Sequence, residues 1–180
     1  MRHARTALAV LGLLLVLWAV NHGIAQRERV LHAGTRLLLP LGQRDPRALL
    51  QGDYMAIQYD DSQRIETALR AVACDRSRCA ARAQATLPST PVDGYAVFRR
   101  DRRDVGRFVR AQRAPLPLKQ DELAVRVRMR GDGLRIAGNA WFFPEGQGER
   151  FAAARYGELR VDDDGTALLT GLYDRDRKPL

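Results

Sequence analysis

The chain opens with one continuous apolar stretch and then changes to short segments in which apolar and polar residues alternate. Apolar residues run without interruption from Ala7 to Val20. As an α-helix, residues 6–25 would be about 30 Å long, which is enough to cross the hydrocarbon core of a bilayer. The pattern therefore predicts an N-terminal membrane anchor over residues 1–25 and a separate domain over residues 26–180.

The charges that flank this segment bear on its orientation. Arg2, His3 and Arg5 precede the apolar run, and positive residues favour the cytoplasmic side, so we expect the following domain to lie outside the membrane. A signal peptide cleaved near Gly23-Ile24-Ala25, a small-x-small site, is the alternative. In either case we expect the domain to be exported.

The exported domain contains one region with helical spacing. Ile65, Leu69 and Val72 recur at this spacing, which predicts an amphipathic helix over residues 62–73. A second short helix over residues 80–85 would complete a helical insertion near residues 62–85.

The rest of the domain has the two-residue period of β-strands. The clearest example places Arg126, Arg128 and Arg130 on one face and apolar residues on the other. Turn signals such as Gly131-Asp132-Gly133 separate the segments. The predicted strands are 35–41, 53–59, 94–99, 105–111, 123–130, 134–143, 156–161 and 166–172. Seven to eight short strands with one helical insertion indicate a mainly β fold, a small barrel or sandwich behind the N-terminal transmembrane helix.

The composition is strongly basic but does not indicate a nucleic-acid-binding protein. Of the 30 basic residues, all but Arg2 and Arg5 lie in residues 26–180, so this region has 28 basic and 21 acidic side chains and a net charge of +7. Nearly all of them are arginine, a bias that is typical of a high-GC genome, and an exported domain meets little nucleic acid. The face of the predicted strand that carries Arg126, Arg128 and Arg130 is either a solvated surface or a surface that binds an anionic ligand.

Two cysteines, Cys74 and Cys79, lie in the exported domain. A disulfide is the expected state in an oxidising compartment. On a continuous helix, residues five apart diverge by about 140°, so the bond requires the helix to break at residues 75–77. Two free thiols are the alternative, and a metal site is disfavoured because no histidine lies nearby.

A turn followed by a short strand gives the most specific motif in the chain. Asp45-Pro46 is a dipeptide that is typical of turns. Gly52-Asp53 is a second turn signal and suits the entry into a strand. In the strand, Met55, Ile57 and Tyr59 share one face and Tyr54 lies on the other. The segment is either a turn that leads into a half-buried strand or a recognition surface around Asp53 and the two tyrosines.

This segment, from Asp45-Pro46-Arg47 to Gly52–Tyr59, resembles the signature of the GDYXXLXY family, with Ile57 in place of leucine. Phe143-Pro144-Glu145-Gly146-Gln147-Gly148-Glu149 resembles a second element of the family, and is either a structural loop or a binding loop. The resemblance implies a bacterial inner-membrane protein with a single N-terminal span and a periplasmic domain. The candidate functional residues are Asp45, Arg47, Gly52, Asp53, Tyr54, Tyr59, Glu145, Gly146 and Gly148.

A weaker resemblance, at the level of the fold alone, is to the β core of signal peptidases. Where those enzymes carry the nucleophilic serine, this chain has Gln43, Arg44 and Asp45, and no lysine lies near Val109-Arg110. Arginine stays protonated and is a poor base. If the fold is shared, the chain is catalytically inactive.

Conventional catalytic and metal sites have little support in the sequence. The three histidines are His3, His22 and His32, all in or beside the predicted anchor, so a histidine-dependent triad has no base in the β domain. Asp162-Asp163-Asp164-Gly165 lacks the spacing of a calcium loop and indicates a hairpin turn. We expect no metal and no cofactor.

Three functional hypotheses follow. The first is a non-enzymatic accessory protein whose partner is an integral membrane protein, which the family resemblance implies because its members tend to be encoded beside polytopic membrane proteins. The second is a hydrolase that uses Asp53 and Glu145 as paired carboxylates. The third is a module that binds an anionic envelope component through the arginine face.

Overall fold

The computed structural model describes residues 2–42, 54–73, 91–131 and 133–180, with side chains from residue 10 onward. The described helices are α1 (Arg2–Ala33), α2 (Ser62–Ala73) and α3 (Gly148–Ala152). The described strands are β1 (Thr35–Pro40), β2 (Tyr54–Ala56), β3 (Val92–Arg100), β4 (Gly106–Gln112), β5 (Glu122–Arg130), β6 (Gly133–Ile136), β7 (Ala140–Phe142), β8 (Tyr156–Val161) and β9 (Ala167–Tyr173).

Helix α1 contains a stretch, Val10–Ala33, that is long and apolar enough to cross a membrane. Its apolar side chains point outward on all sides, and Trp18 is 68% exposed. A helix that is apolar all round needs an apolar environment, so its length and composition are consistent with a single-pass anchor. A signal sequence has the same length and composition.

The described strands form three antiparallel sheets. Strands β1, β8 and β9 form one sheet in the order β1-β8-β9, β2 pairs with β7, and the third sheet has the order β4-β3-β5-β6. A bridge between Leu38 and Val105 links the first sheet to the third. The mainly β prediction is confirmed. The described strands do not close into a barrel, so the choice between barrel and sandwich stays a prediction.

The core lies between the sheets and beneath α2. The apolar face of β5 is buried, with Val125 and Val127 fully covered, whereas Arg126 and Arg128 are exposed. This confirms the predicted alternation. Helix α2 begins and ends as predicted. Its Ile65 and Leu69 are buried in the same core cluster as residues of β3 and β5.

The second half of the predicted insertion, residues 80–85, lies outside the described residues. The prediction of one strand over residues 134–143 was wrong, because the segment is divided into β6 and β7. Ala137 has a φ of 49°, a left-handed conformation that interrupts an extended strand, and Gly138 and Asn139 complete the bend. The signature strand is also shorter than predicted. Regular pairing ends at Ala56, and Tyr59 forms an isolated bridge with Leu41.

Candidate functional site

The two family elements meet in one two-stranded ribbon. Strand β2 carries the end of the signature, and β7 leads directly into the second element. Their register pairs Tyr54 with Phe142, Met55 with Trp141 and Ala56 with Ala140. The N–H of Ile57 continues the contact by donating to the carbonyl of Asn139 at 2.7 Å. Segments nearly ninety residues apart in the sequence therefore form one surface, which we call the aromatic ribbon (β2 and β7).

One face of the signature belongs to the core. Met55, Ile57 and Tyr59 are 1%, 6% and 4% exposed, as the two-residue period predicted. The Tyr59 hydroxyl donates a hydrogen bond to the Gly138 carbonyl at 3.2 Å. Burial raises the pKa of Tyr59 above the usual value for tyrosine, because the phenolate would be poorly solvated. Tyr59 is therefore part of the core beneath the signature strand.

The other face of the ribbon presents two aromatic side chains to solvent. Tyr54 is 46% exposed and Phe142 is 75% exposed. Their ring centroids are 5.9 Å apart, with the ring planes inclined by 41°. A phenylalanine exposed to this degree beside a tyrosine is a typical feature of a contact surface, because aromatic residues carry much of the energy of interfaces.

A cluster of partly buried rings supports this surface. Phe151 of α3 stacks on Phe143 at 5.1 Å and lies 6.4 Å from Trp141. The guanidinium of Arg150 covers the ring of Phe151 at 5.6 Å. These contacts hold the residues on both sides of Phe142 in place, so the exposed ring projects from a fixed backbone.

The second family element forms a turn and then a helix. The N–H of Gln147 donates to the Pro144 carbonyl at 3.2 Å. Gly146 has a φ of +80°, which a residue with a side chain rarely adopts. Gly148 begins α3, and Glu145 is exposed at the tip of the turn. Glu145 is three residues from Phe142.

Several of the predicted site residues cannot be placed. Asp45, Arg47, Gly52 and Asp53 lie outside the described residues, as do Cys74 and Cys79. The distance between Asp53 and Glu145 and the state of the two cysteines therefore stay predictions.

No catalytic constellation is assembled in the described parts of the chain. Those residues contain no group of three or more His, Cys, Asp or Glu side chains that could hold a metal ion. His22 and His32 lie on α1. Asp162 and Gly165 form the β8–β9 turn, in which the Gly165 N–H donates to the Asp162 carbonyl at 2.9 Å. Hence the acidic run is the predicted hairpin turn.

Two buried carboxylates were missed by the sequence analysis. Glu158 lies between Arg36 and Arg160, with each Nε 3.4 Å from its Oε1 atom. Its hydrogen bond with the Tyr173 hydroxyl raises the pKa of Tyr173. Arg36 also lies over the Tyr173 ring at 5.0 Å. The alternation of charged and apolar residues along β8 was visible in the sequence, but its pairing with β1 was not.

The second buried carboxylate is Glu122, at the start of β5. Its Oε2 atom accepts hydrogen bonds from the Lys119 N–H at 3.0 Å and from Arg110 at 2.8 Å. The Lys119 N–H makes the largest contribution to lowering the pKa of Glu122, and the hydrogen bond and charge of Arg110 lower it further. Arg110 also donates to the Pro117 carbonyl. This arrangement fastens the β4–β5 loop.

The comparisons with known proteins agree with the two motifs. The model of the GDYXXLXY protein family matches residues 16–172, which include both strands of the aromatic ribbon. No curated protein and no solved structure matches the chain. The match extends over most of the chain, so the chain belongs to the GDYXXLXY family.

Proposed function

We propose that this protein is a non-enzymatic accessory protein of the bacterial inner membrane, with its domain in the periplasm. In this proposal α1 is the anchor, and the aromatic ribbon docks on an integral membrane protein. The observation that carries the proposal is the exposed Tyr54–Phe142 pair, which lies where the two family elements meet.

The ribbon has the chemistry of a docking surface. Tyr54 and Phe142 present a large apolar area at a small cost in conformational entropy, because each ring has only two side-chain torsions. The packed rings of Trp141, Phe143 and Phe151 behind them make the surface rigid before binding, which reduces the entropy lost on association.

The anchor supports the choice of partner. A helix in the same membrane as its partner keeps the domain at a high effective concentration, so a small contact surface is sufficient. A patch of two aromatic side chains is a small surface, which suits a tethered protein better than a freely diffusing one.

Site-specific photocrosslinking in native membranes tests this proposal. A photoreactive phenylalanine analogue at position 142 is expected to crosslink to one integral membrane protein. The captured protein is then purified and mixed with the full-length chain. Phe142→Ala should weaken this binding by at least about tenfold, as expected for an aromatic residue at the centre of an interface.

Leu116→Ala is the matched control, because Leu116 is a similarly exposed apolar residue, at 68%, on the β4–β5 loop. It should leave the binding unchanged. Equal weakening by both variants, or crosslinks to soluble proteins alone, would refute docking through the ribbon.

A hydrolase with paired carboxylates is the second candidate, because one observation favours it. Tyr54, the neighbour of Asp53, pairs with Phe142, so the ribbon brings the two family elements that carry Asp53 and Glu145 side by side. This candidate predicts that the full-length protein turns over a substrate and that Glu145→Gln abolishes the turnover, with the crosslink at position 142 unaffected.

A further inference from the structure

We propose that two copies of this chain pair within the membrane through one side of α1, which we call the Trp18 face (Trp18, Asn21 and His22). The inference rests on the anchoring role proposed for α1. It goes beyond the proposed function, because the pairing uses the membrane helix and leaves the aromatic ribbon free for a different partner.

The three side chains of the Trp18 face have hydrogen-bonding groups and lie inside the predicted span, which ends at residue 25. A helix rises about 1.5 Å per residue, so Asn21 lies about 6 Å and Trp18 about 10 Å inside the end of the span. Tryptophan in membrane helices is enriched at the interface with water, and Trp18 lies deeper than that. Asparagine has a short side chain that cannot extend to the headgroups as lysine or arginine does. The amide of Asn21 therefore stays in the hydrocarbon region.

Polar groups at this depth are costly unless they form hydrogen bonds, because the hydrocarbon offers none. Asn21 and His22 are exposed on the surface of α1, and Trp18 is 68% exposed. The rings of Trp18 and His22 are stacked, with their centroids 5.5 Å apart and their planes inclined by 18°. The stack covers one flat side of the imidazole and leaves the two nitrogens at its edge. A second helix that packs on this face can supply the hydrogen bonds.

The Trp18 face points away from the side of α1 that the domain covers. Successive residues of an α-helix are about 100° apart, so Asn21 and His22 lie about 60° and 40° from Trp18, on either side of it. Val30 is 1% exposed, and α1 contacts β8 and β9, so Val30 marks the side that the domain covers. Val30 is about 120° from Trp18. The domain therefore leaves the Trp18 face open to another helix.

The chemistry of the Trp18 face favours a second copy of the chain as the occupant. Asparagine carries a carbonyl acceptor and two N–H donors, and a neutral imidazole carries one donor and one acceptor, so the face can satisfy itself. Two copies enter the membrane in the same orientation, and a two-fold axis then brings each residue beside its equivalent at the same depth. Asn21 of one copy can donate to Asn21 of the second copy and accept from it. Ala25, one turn further along this face, is small and allows the helices to approach closely.

Sedimentation equilibrium of the full-length protein in density-matched detergent micelles tests the inference. A reducing agent prevents disulfides between copies, and the intact mass verifies that residues 1–25 are present. We expect a reversible equilibrium between monomer and dimer. Asn21→Leu keeps a side chain of similar size but removes the hydrogen bonds, so it should weaken dimerisation roughly tenfold, as expected for hydrogen bonds between helices in a membrane.

Two neighbouring leucines provide a matched test of the face. Leu14 and Leu13 are 57% and 60% exposed, but Leu14 is about 40° from Trp18 and Leu13 is about 140° from it. Leu14→Ala should weaken dimerisation roughly fivefold, because it removes packing between the helices. Leu13→Ala should leave dimerisation within about twofold of the wild type.

Phe142→Ala separates this pairing from docking through the aromatic ribbon, since it should leave dimerisation unchanged. A protein that stays monomeric at all concentrations, or a dimer that Asn21→Leu leaves intact, would overturn the pairing without affecting the crosslink at position 142. Equal effects of Leu13→Ala and Leu14→Ala would also overturn it, because the contact would then not be the Trp18 face. Loss of residues 1–25 from the membrane-bound protein would overturn the pairing together with the anchor.

Discussion

At the scale of single residues, the two tyrosines of the signature have opposite roles. Tyr59 is buried and its hydroxyl donates to the Gly138 carbonyl, whereas Tyr54 is exposed. Tyr59→Phe removes a buried hydrogen bond and should lower the free energy of unfolding by about 1 kcal/mol. Tyr54→Phe, the matched control, should change it by less than about 0.5 kcal/mol. Chemical denaturation of the full-length protein in detergent, followed by circular dichroism, measures both.

The pH dependence of stability should also distinguish Tyr59→Phe from the wild type. Because the pKa of Tyr59 is raised in the folded state, its protonated form contributes stability that is fully present below pH about 10. This contribution is lost as the pH rises toward the folded-state pKa. The wild type should therefore lose stability above pH about 10, and Tyr59→Phe should lose less. The pKa of Tyr173 is also raised, so Tyr173 contributes to the same alkaline loss of stability. Tyr59→Phe should therefore reduce this loss without abolishing it. If Tyr59→Phe lost stability above pH about 10 as steeply as the wild type, this would contradict the assignment of the alkaline loss to Tyr59.

The sequence predicted which residues of the signature strand are buried, but not which partner the exposed face has. Period-two spacing assigns Met55, Ile57 and Tyr59 to one face whatever the fold, because successive side chains of a strand alternate. The exposure of Phe142 beside Tyr54 depends on the pairing of β2 with β7. A pairing between distant segments is set by tertiary packing, which no local pattern contains.

At the scale of elements, α2 packs against the sheet through a glycine. A Cβ atom on Gly94 of β3 would lie 2.5 Å from Cδ1 of Leu69 and 3.1 Å from the Gln112 carbonyl oxygen. Gly94→Ala should therefore displace α2 and cost about 1–3 kcal/mol, as overpacking of a core does. Gly131→Ala is the control, because a Cβ atom there has nothing within 4 Å.

Thermal unfolding of the two alanine variants tests this packing, and a double variant sharpens the test. Leu69→Ala removes the side chain that clashes, so Gly94→Ala should cost less in that background than alone. Strictly additive effects would show that Gly94 acts through its backbone entropy and not through contact with α2.

The sequence predicted the elements better than their boundaries. Helix α2 has the predicted bounds, because apolar residues recur along it at helical spacing. The segment 134–143 was read as one strand because its residues favour strands, yet Ala137 takes a left-handed conformation that alanine seldom prefers. The bend lets β7 leave the β5–β6 sheet and pair with β2. Tertiary packing overrides local propensity here.

At the scale of the whole molecule, an ion-pair network connects α1 to the domain. Glu158 holds Arg36 and Arg160, and Arg160 donates to the carbonyl of Gly34, directly after α1, at 3.3 Å. The side chain of Glu158 is 9% exposed, so Glu158→Gln replaces a buried carboxylate between two arginines with a neutral amide. We expect a loss of about 2 kcal/mol, less than for a fully buried pair because the arginines are partly exposed.

Glu66→Gln is the control for this network, because Glu66 pairs with Arg70 on the surface of α2. An exposed pair of this kind contributes about 0.3–0.5 kcal/mol. Hydrogen exchange of residues 30–36 adds a local readout. Glu158→Gln should accelerate exchange at this junction and Glu66→Gln should not. Equal exchange in both variants would show that the network does not fasten the helix to the sheet.

The orientation of the chain in the membrane is the prediction on which the proposed partner depends. Arg2 and Arg5 precede the apolar run, and Arg27 and Arg29 follow it within α1, so the difference in positive charge across the helix is small and the expected orientation rests mainly on the resemblance to the GDYXXLXY family. The intact mass of the membrane-bound protein should include residues 1–25, since cleavage of a signal peptide would remove them.

We expect alkaline phosphatase fused after Leu180 to be active and green fluorescent protein at the same position to be dark. A fluorescent fusion with inactive phosphatase would place the aromatic ribbon on the cytoplasmic side and would refute the periplasmic location proposed for the domain.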